Sequence, residues 1–403
     1  NFMKSFSSLS DLKLRAAFGE AGNDNIGNFQ YLAGYQFDYF SYLLGSGSQK
    51  GLGSKGLANP YLTWEKMKLY NVGLDFSFFN RKLYGEGDVF YRERDGIMAT
   101  RLLSMPSTFG ATLPPENINS QNNRGFELKL GTAGNKRDLS WDVSGNISWS
   151  RAKWGHFEEP AYTDSDQVRI YQRSGRWTDL NFGYLSDGLF TSQAEIDALP
   201  FNQDNLGNTT LKPGDIRYKD VNNDGKLDWR DMVEIGKGTM PHWMVGASVN
   251  LRYKNFDLSA LLQGAFGYYT YIKYYTGDLK SSNPSNFATY VYKSRWTEQN
   301  NNRNASIPRL GSYGSPNSSY YSDFYLKKAG YMRLKVFSLG YSIPERYLQR
   351  INMKQVRIYL SGTNLLTFDK LKKYNLDPEA PSFESGTYYP QQKTISLGVN
   401  VSL

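Results

Sequence analysis

The sequence of 403 residues contains no cysteine. Disulfide frameworks and thiolate zinc sites are therefore closed to it, and its compartment stays open. Histidine occurs only as His156 and His242, and no Gly-x-Ser-x-Gly elbow accompanies them, so histidine-based nucleophilic catalysis has little to work with. No run of 18 apolar residues occurs, which excludes a transmembrane helix. Like charges are not clustered either. The net charge of +9, from 47 basic and 38 acidic residues, is scattered without a run of five, as on a solvated surface, and no nucleic-acid motif accompanies it. At Asn1 there is no basic start, apolar stretch or cleavage site of a signal peptide, so Asn1 is expected to be an interior point of a longer chain.

What is abundant is aromatic: 31 Tyr, 23 Phe and 8 Trp, 15 % of the chain, beside a negative mean hydropathy. Amphipathic rings favour places with one apolar and one wet side, as at a membrane interface. The strongest pattern is alternation with a period of two. Leu139, Trp141, Val143, Ile147 and Trp149 alternate with Ser140, Asp142, Ser144, Asn146 and Ser148. Val72, Leu74, Phe76 and Phe78 alternate with Asn71, Gly73, Asp75 and Ser77, and the chain ends on Ile395, Leu397, Val399 and Val401 against Ser396, Gly398, Asn400 and Ser402. Successive strand side chains point to opposite faces, so each segment has an apolar and a polar side.

Ten such strands are predicted, at 11–19, 68–79, 82–94, 122–131, 138–150, 243–253, 256–267, 330–341, 354–363 and 393–403, with a β-bulge at Val336–Phe337. Most run near the roughly 9–11 residues that a tilted membrane-crossing strand needs, against about 5–6 for soluble strands. Short connections at Asn80-Arg81, around Gly134-Asn135, at Lys254-Asn255 and around Pro344 alternate with long ones at 20–67, 95–121, 151–242, 268–329 and 364–392. Transmembrane barrels pair short periplasmic turns with long extracellular loops in this way; a β-sandwich has no reason to. The fold class expected is all-β, an antiparallel transmembrane β-barrel in the bacterial outer membrane. Asp75, Asp142 and Asn400 face its lumen, its long loops lie outside the cell and its C-terminus is periplasmic. Ten strands leave two open edges, which lipid does not tolerate, so further strands are expected from elsewhere.

The order of motifs resembles the C-terminal half of a SusC/RagA-type TonB-dependent transporter of Bacteroidota. Asn59-Pro60-Tyr61-Leu62-Thr63-Trp64-Glu65 and Asn123-Arg124-Gly125-Phe126-Glu127 are similar to its strand starts. The most specific run is Pro213-Gly214-Asp215-Ile216-Arg217-Tyr218-Lys219-Asp220-Val221-Asn222-Asn223-Asp224-Gly225. Arg295-Trp296-Thr297, Ile307-Pro308-Arg309, Tyr331-Met332-Arg333-Leu334-Lys335, Gly362-Thr363-Asn364-Leu365 and Leu376-Asp377-Pro378-Glu379 follow in family-like order. The resemblance implies that residues 1–403 are the C-terminal part of a single barrel of roughly 22 strands with a plugged lumen. The plug, the TonB-contacting segment and the first strands lie outside this sequence. It further implies TonB-energised import of a bulky oligosaccharide or peptide, with a SusD-like surface lipoprotein as lid. The last residue, Leu403, departs from the aromatic usual in the family, which bears on recognition by the insertion machinery.

One constellation has metal-site spacing. Asp220, Asn222, Asp224, Gly225, Lys226, Asp228 and Asp231 fill positions 1, 3, 5, 6, 7, 9 and 12 of an EF-hand loop. Three side-chain oxygens, the Lys226 carbonyl and a sharp turn at Gly225 suit Ca²⁺, with Asp228 acting through water. Asp231 in place of a bidentate Glu predicts weak binding, and the role expected is to stiffen loop 151–242. The alternative is an Asn/Asp/Gly turn without an ion. Glu158-Glu159 is a carboxylate pair in form, but adjacent loop acids are ordinarily solvated, and no enzyme is expected. Tyr39, Phe40, Tyr42, Tyr268, Tyr269, Tyr271, Tyr274, Tyr275, Tyr320 and Tyr321 are candidates for stacking on sugars or on a lid protein, or for an interfacial girdle; no substrate-binding residue is assigned. Two functions from other classes compete with import: a structural or assembly role for such a barrel, and a soluble secreted β-enzyme or glycan-binding protein.

Overall fold

A computed structural model describes residues 8–24, 27–45, 47–102, 107–272, 289–310, 316–349, 353–380, 388–389 and 391–402. The ten expected strands are all present and form one antiparallel sheet. They are β1 (Leu9–Asn23), β2 (Glu65–Phe78), β3 (Leu83–Thr100), β4 (Pro115–Lys136), β5 (Leu139–Trp154), β6 (Trp243–Tyr253), β7 (Phe256–Phe266), β8 (Tyr331–Ser342), β9 (Gln355–Asp369) and β10 (Thr394–Ser402). Each pairs only with its neighbours in sequence, so the order across the sheet is β1 to β10 without a crossover. No described helix is long and apolar enough to cross a membrane, which says nothing of a barrel.

Register converts the alternation into two faces. Across β1 to β3, Leu14 pairs with Leu74 and Leu74 with Gly87, while Arg15 pairs with Gly73 and Gly73 with Asp88. Val249 sits between Val143 and Ala260, and Asn250 between Asp142 and Ser259. The apolar rows share one side of the sheet and the polar rows the other. Among the described residues nothing covers the apolar side: Leu14 is 73 %, Val89 64 % and Leu397 77 % exposed.

Three boundaries depart from expectation. The turn foreseen around Gly134-Asn135 lies instead at Arg137-Asp138, with Arg137 at φ 53°. Gly134 stays in the strand because the Trp141 indole lies over it, where a Cβ would stand 2.6 Å from the ring. The phase shift foreseen at Val336–Phe337 falls between Leu334 and Val336, leaving Lys335 as the extra residue, and β9 runs on to Asp369. The extra residue turns its ammonium toward Glu379, at 2.7 Å. Finally, β3 and β4 extend well past their apolar stretches, to Thr100 and from Pro115. The end of β3 carries the apolar Ile97 and Met98 at successive positions and the start of β4 is polar at nearly every position, so no alternation marks them. The turns at Phe79–Arg81 and at Lys254 adopt left-handed φ values of 53–66°, as tight strand reversals demand.

The buried hydrophobic residues lie mostly outside the sheet. Leu189, Ile216, Tyr218, Leu227, Ile272, Val291, Trp296, Ile307 and Tyr374 are buried together. They come from the long connections after β5, β7 and β9, which thus share one core. Two short two-stranded ribbons stiffen it, Leu180–Gly183 with Val233–Lys237 and Ser186–Leu189 with Ile216–Tyr218. Helices Ser165–Tyr171 and Gln193–Asp197 join them, their first-turn N–H groups accepted by the side chains of Asp164 and Ser192.

Candidate functional site

The polar face is a wall of paired charges. Arg15 on β1 donates to Asp75 on β2 at 2.8 Å and to Asp88 on β3 at 2.7 Å. Gly73 makes room for this triad, because a Cβ there would stand 2.4 Å from Asp88. Arg94 reaches Glu65 at 2.5 Å, and Arg357 on β9 reaches Asp257 on β7 at 2.5 Å. Between them Asn146, Ser148, Glu127 and Lys129 present further polar groups. Such a surface suits a hydrated interior and would be costly against acyl chains.

Over one end of this wall the loops interlock. Gly214, at φ 89°, brings the chain within 2.3 Å (as a Cβ would see it) of the Trp296 ring, so only glycine fits. Asp215, fully buried, accepts from Arg309 Nε at 2.7 Å. Arg217 and Arg303 converge on Glu195. Asp323 accepts from the Ser186 N–H at 2.7 Å and its hydroxyl at 2.6 Å. The loop after β9 is clamped to the wall: Arg333, 2 % exposed, bonds Asp377 at 2.8 Å and also Glu379, which takes hydrogen bonds from Lys335 and Tyr331 as well. Burial alone would raise the Glu379 pKa, but Lys335, Tyr331 and Arg333 outweigh it and hold it below the usual carboxylate range.

The EF-hand-like segment is built around Asp231. This fully buried carboxylate accepts from the N–H groups of Val221 at 2.8 Å and Asp228 at 2.8 Å, pinning both ends of the loop. Burial raises its pKa, with those N–H groups pulling the other way. Asp220 accepts from Gly225 N–H at 2.9 Å, Asn222 from Asp224 N–H at 3.0 Å and Asp224 from Lys226 N–H at 3.2 Å. Asp228 instead caps the short turn Trp229–Asp231 and pairs with Lys226 and Arg230. Thus the six residues Asp220, Asn222, Asp224, Lys226, Asp228 and Asp231 share one loop, but Asp220, Asn222, Asp224, Asp228 and Asp231 each spend a side-chain oxygen on a backbone N–H of that loop. No group of three or more acidic or histidine side chains is gathered at metal-binding distance among the described residues. One oxygen, Asp220 Oδ1, is buried with no partner.

Several loop aromatics are placed otherwise than expected. Tyr268 is buried and donates to the Pro378 carbonyl at 2.8 Å, so it serves neither girdle nor lid. Tyr320 packs against Tyr184 and Tyr218, and Tyr271 stacks on Tyr321 at 4.7 Å. Tyr269 joins a short ribbon with Lys328. Tyr42 stays exposed. Tyr274 and Tyr275 lie outside the described residues, as do Leu403 and the side chains of Tyr39 and Phe40. Glu159 is occupied by the N–H groups of Arg173 and Ser174, and Glu158 by that of Leu102. His242 bonds Asp179 at 2.5 Å. The clamp at Glu379 and the Asp215–Arg309 pair escaped sequence reasoning, although both acids stand in the family-like motifs.

No protein-family model matches the chain. Curated relatives do, over its full length. TonB-dependent receptor SusC of Bacteroides thetaiotaomicron is 28 % identical across 100 % of this chain and 38 % of its own length. A TonB-dependent receptor of Formosa agariphila is 26 % identical across 100 % and 40 %. These relatives are receptors, not enzymes. The chain spans about two fifths of their length. Among solved structures, the RagAB peptide importer in its open-open state superposes with a TM-score of 0.71 at 23 % identity, covering 100 % of this chain and 41 % of the other. The RagAB peptide transporter gives 0.68 at 22 %, covering 100 % and 42 %. The resemblance carried by the motifs therefore holds from end to end, and the chain is similar in sequence and fold to the C-terminal region of the SusC/RagA-type TonB-dependent receptors.

Proposed function

We propose that residues 1–403 form the C-terminal part of a single plugged outer-membrane barrel that imports a bulky nutrient, an oligosaccharide or a peptide, with energy from TonB. A SusD-like lipoprotein closes over its long-loop side, which faces outward, and the C-terminus lies in the periplasm. The observation that carries this is the two-faced wall. Ten strands in nearest-neighbour order bare their apolar rows and line the opposite side with ion pairs such as Arg15–Asp75–Asp88. Lipid on one side and water on the other is the environment that rewards such a sheet. Relatives named as receptors over the whole chain, and a RagAB neighbour described as a peptide importer, support the same reading.

The test is uptake by cells lacking the gene. Loss of growth on one oligosaccharide or peptide source, restored by the gene only in TonB-competent cells, is the expected result. Unchanged uptake of every such source, with loss of other outer-membrane proteins instead, favours the assembly role.

Ca²⁺ at Asp220, Asn222, Asp224, the Lys226 carbonyl, Asp228 and Asp231 belongs to this reading as a stiffener of the loop. The unpartnered Asp220 Oδ1 supports it, since a cation would satisfy that oxygen. Chelation should speed proteolysis within 155–242; unchanged protease resistance removes the metal.

A further inference from the structure

We propose that the outer rim of the wall on β4 and β5 binds the phosphate-bearing headgroup of a glycolipid in the outer leaflet. The inference rests on the outer-membrane reading above, and it goes beyond transport.

The outward row of β5 runs Val143, Ile147, Trp149, Arg151, Lys153 toward the long-loop end, and that of β4 runs Leu130, Leu128, Phe126, Arg124. Each step of two residues climbs about 6.8 Å along the strand. Both rows thus pass from aliphatic to aromatic to cationic, the order in which a leaflet passes from acyl chains through its interface to its headgroups. The rings form one belt. Phe126 stacks on Trp149 at 6.4 Å and meets Trp243 edge-on at 5.9 Å, and Trp149 meets Trp177 edge-on at 6.5 Å.

Trp177 makes this rim more than a girdle. Its segment pairs with the upper end of β5, at Lys153. Two guanidinium groups lie over its ring, Arg151 at 4.4 Å and Arg124 at 5.3 Å from the centroid. The ring fixes both cations at one height without neutralising them. Arg151 is further held by Asp179 at 2.9 Å, whose other oxygen meets His242. Arg124 is exposed and donates to the Asn122 side-chain oxygen at 3.3 Å; among the described residues, neither it nor Lys153 makes an ion pair. Three cations thus face one neighbouring carboxylate, Asp179, with Glu93 the next acid along this face beside Tyr91. Further along the rim Lys68 stands opposite that same Glu93 and Lys66 opposite Asp95. A fork-shaped donor, a flexible ammonium and an aromatic ledge at headgroup height match a phosphorylated sugar above acyl chains.

The test uses the full-length protein, delipidated in detergent and offered bisphosphorylated or dephosphorylated lipid A, with retention read by native mass spectrometry. The wild type should retain the bisphosphorylated form about tenfold better. Arg124→Gln with Lys153→Gln should erase that preference, while Lys66→Gln with Lys68→Gln should keep it. Heat-modifiable electrophoretic mobility confirms that each variant is folded. Equal retention of the two lipids by the wild type overturns the proposal. So does equal loss in the two double variants, or displacement of the lipid by an equal concentration of inorganic phosphate. If the barrel reading itself is wrong, neither lipid is retained, an outcome distinct from retention without regard to phosphate.

Discussion

Lysine placed at two adjacent positions of β6 should separate the two faces of the wall. The strand runs from Trp243, in the outer aromatic belt, to Tyr253 beside the short turn, where Phe256 and Tyr341 meet at 4.7 Å in a second group of rings. Its 11 residues make ten rises of about 3.4 Å, or about 34 Å, and a tilt of about 40° leaves about 26 Å along the membrane normal. That matches the roughly 25 Å apolar band of an outer-membrane barrel, and puts Val249 close to its midplane. Val249 faces outward between Val143 and Ala260; Ser248 faces inward between Ser144 and Leu261. A lysine at the lipid-facing midplane costs about 2–4 kcal/mol, whereas one in a hydrated lumen costs little. Denaturant unfolding of the full-length protein in bilayers should show Val249→Lys destabilised by about that amount and Ser248→Lys by less than about 1 kcal/mol. Equal losses at both positions, or the larger loss at Ser248, would refute the assignment of faces.

Other outcomes follow from the loops. Arg333→Met removes the cation that Asp377 and Glu379 share, and should expose the segment after β9 to protease while leaving the β-sheet signal in circular dichroism unchanged. Arg309→Ala takes the Arg309 cation from the buried Asp215 carboxylate, a loss on the order of 3 kcal/mol that should appear as early melting of the loop cap. The Glu379 clamp has a pH sense. Its carboxyl is held below its ordinary 4.5, so its contribution is full above that value and fades as pH falls through the lowered one. In Ca²⁺-free buffer Asp231 works in reverse, because burial raises its pKa: its ordering of the 220–231 loop is strongest when protonated and weakens as pH rises above its ordinary 3.8. Hydrogen exchange at the two loops, followed from pH 6 to about 3, should show opposite trends.

The wall was legible because one rule governs every second residue, apolar on one face and polar on the other. Val72, Val143 and Val399 announce their face without any knowledge of their neighbours. Where the rule lapses, so does the legibility. The far end of β3 sets Ile97 beside Met98 and the start of β4 is polar at nearly every position, so neither carries a period. The turn at Arg137-Asp138 was hidden by Gly134-Asn135, a stronger turn signal that Trp141 overrides by packing on the glycine. The loop core joins Leu189, Val291 and Tyr374 from three connections, and no local pattern ties residues so distant. Asp220 to Asp231 was readable as a motif, but the direction of each oxygen depends on which N–H groups the fold brings to it.

The contrast between wall and loops has a consequence for how the molecule is made. Four pairs of wall strands, β2–β3, β4–β5, β6–β7 and β8–β9, close over short turns, so these hairpins can form one by one as the chain emerges. The cap offers no such order. Ser186 must wait for Asp323, Asp215 for Arg309 and Tyr268 for Pro378, separations of 137, 94 and 110 residues. Loop closure over such distances is slow, so the cap contacts mature after the hairpins, together with the pairing of β5 and β6 across the connection that supplies much of the cap.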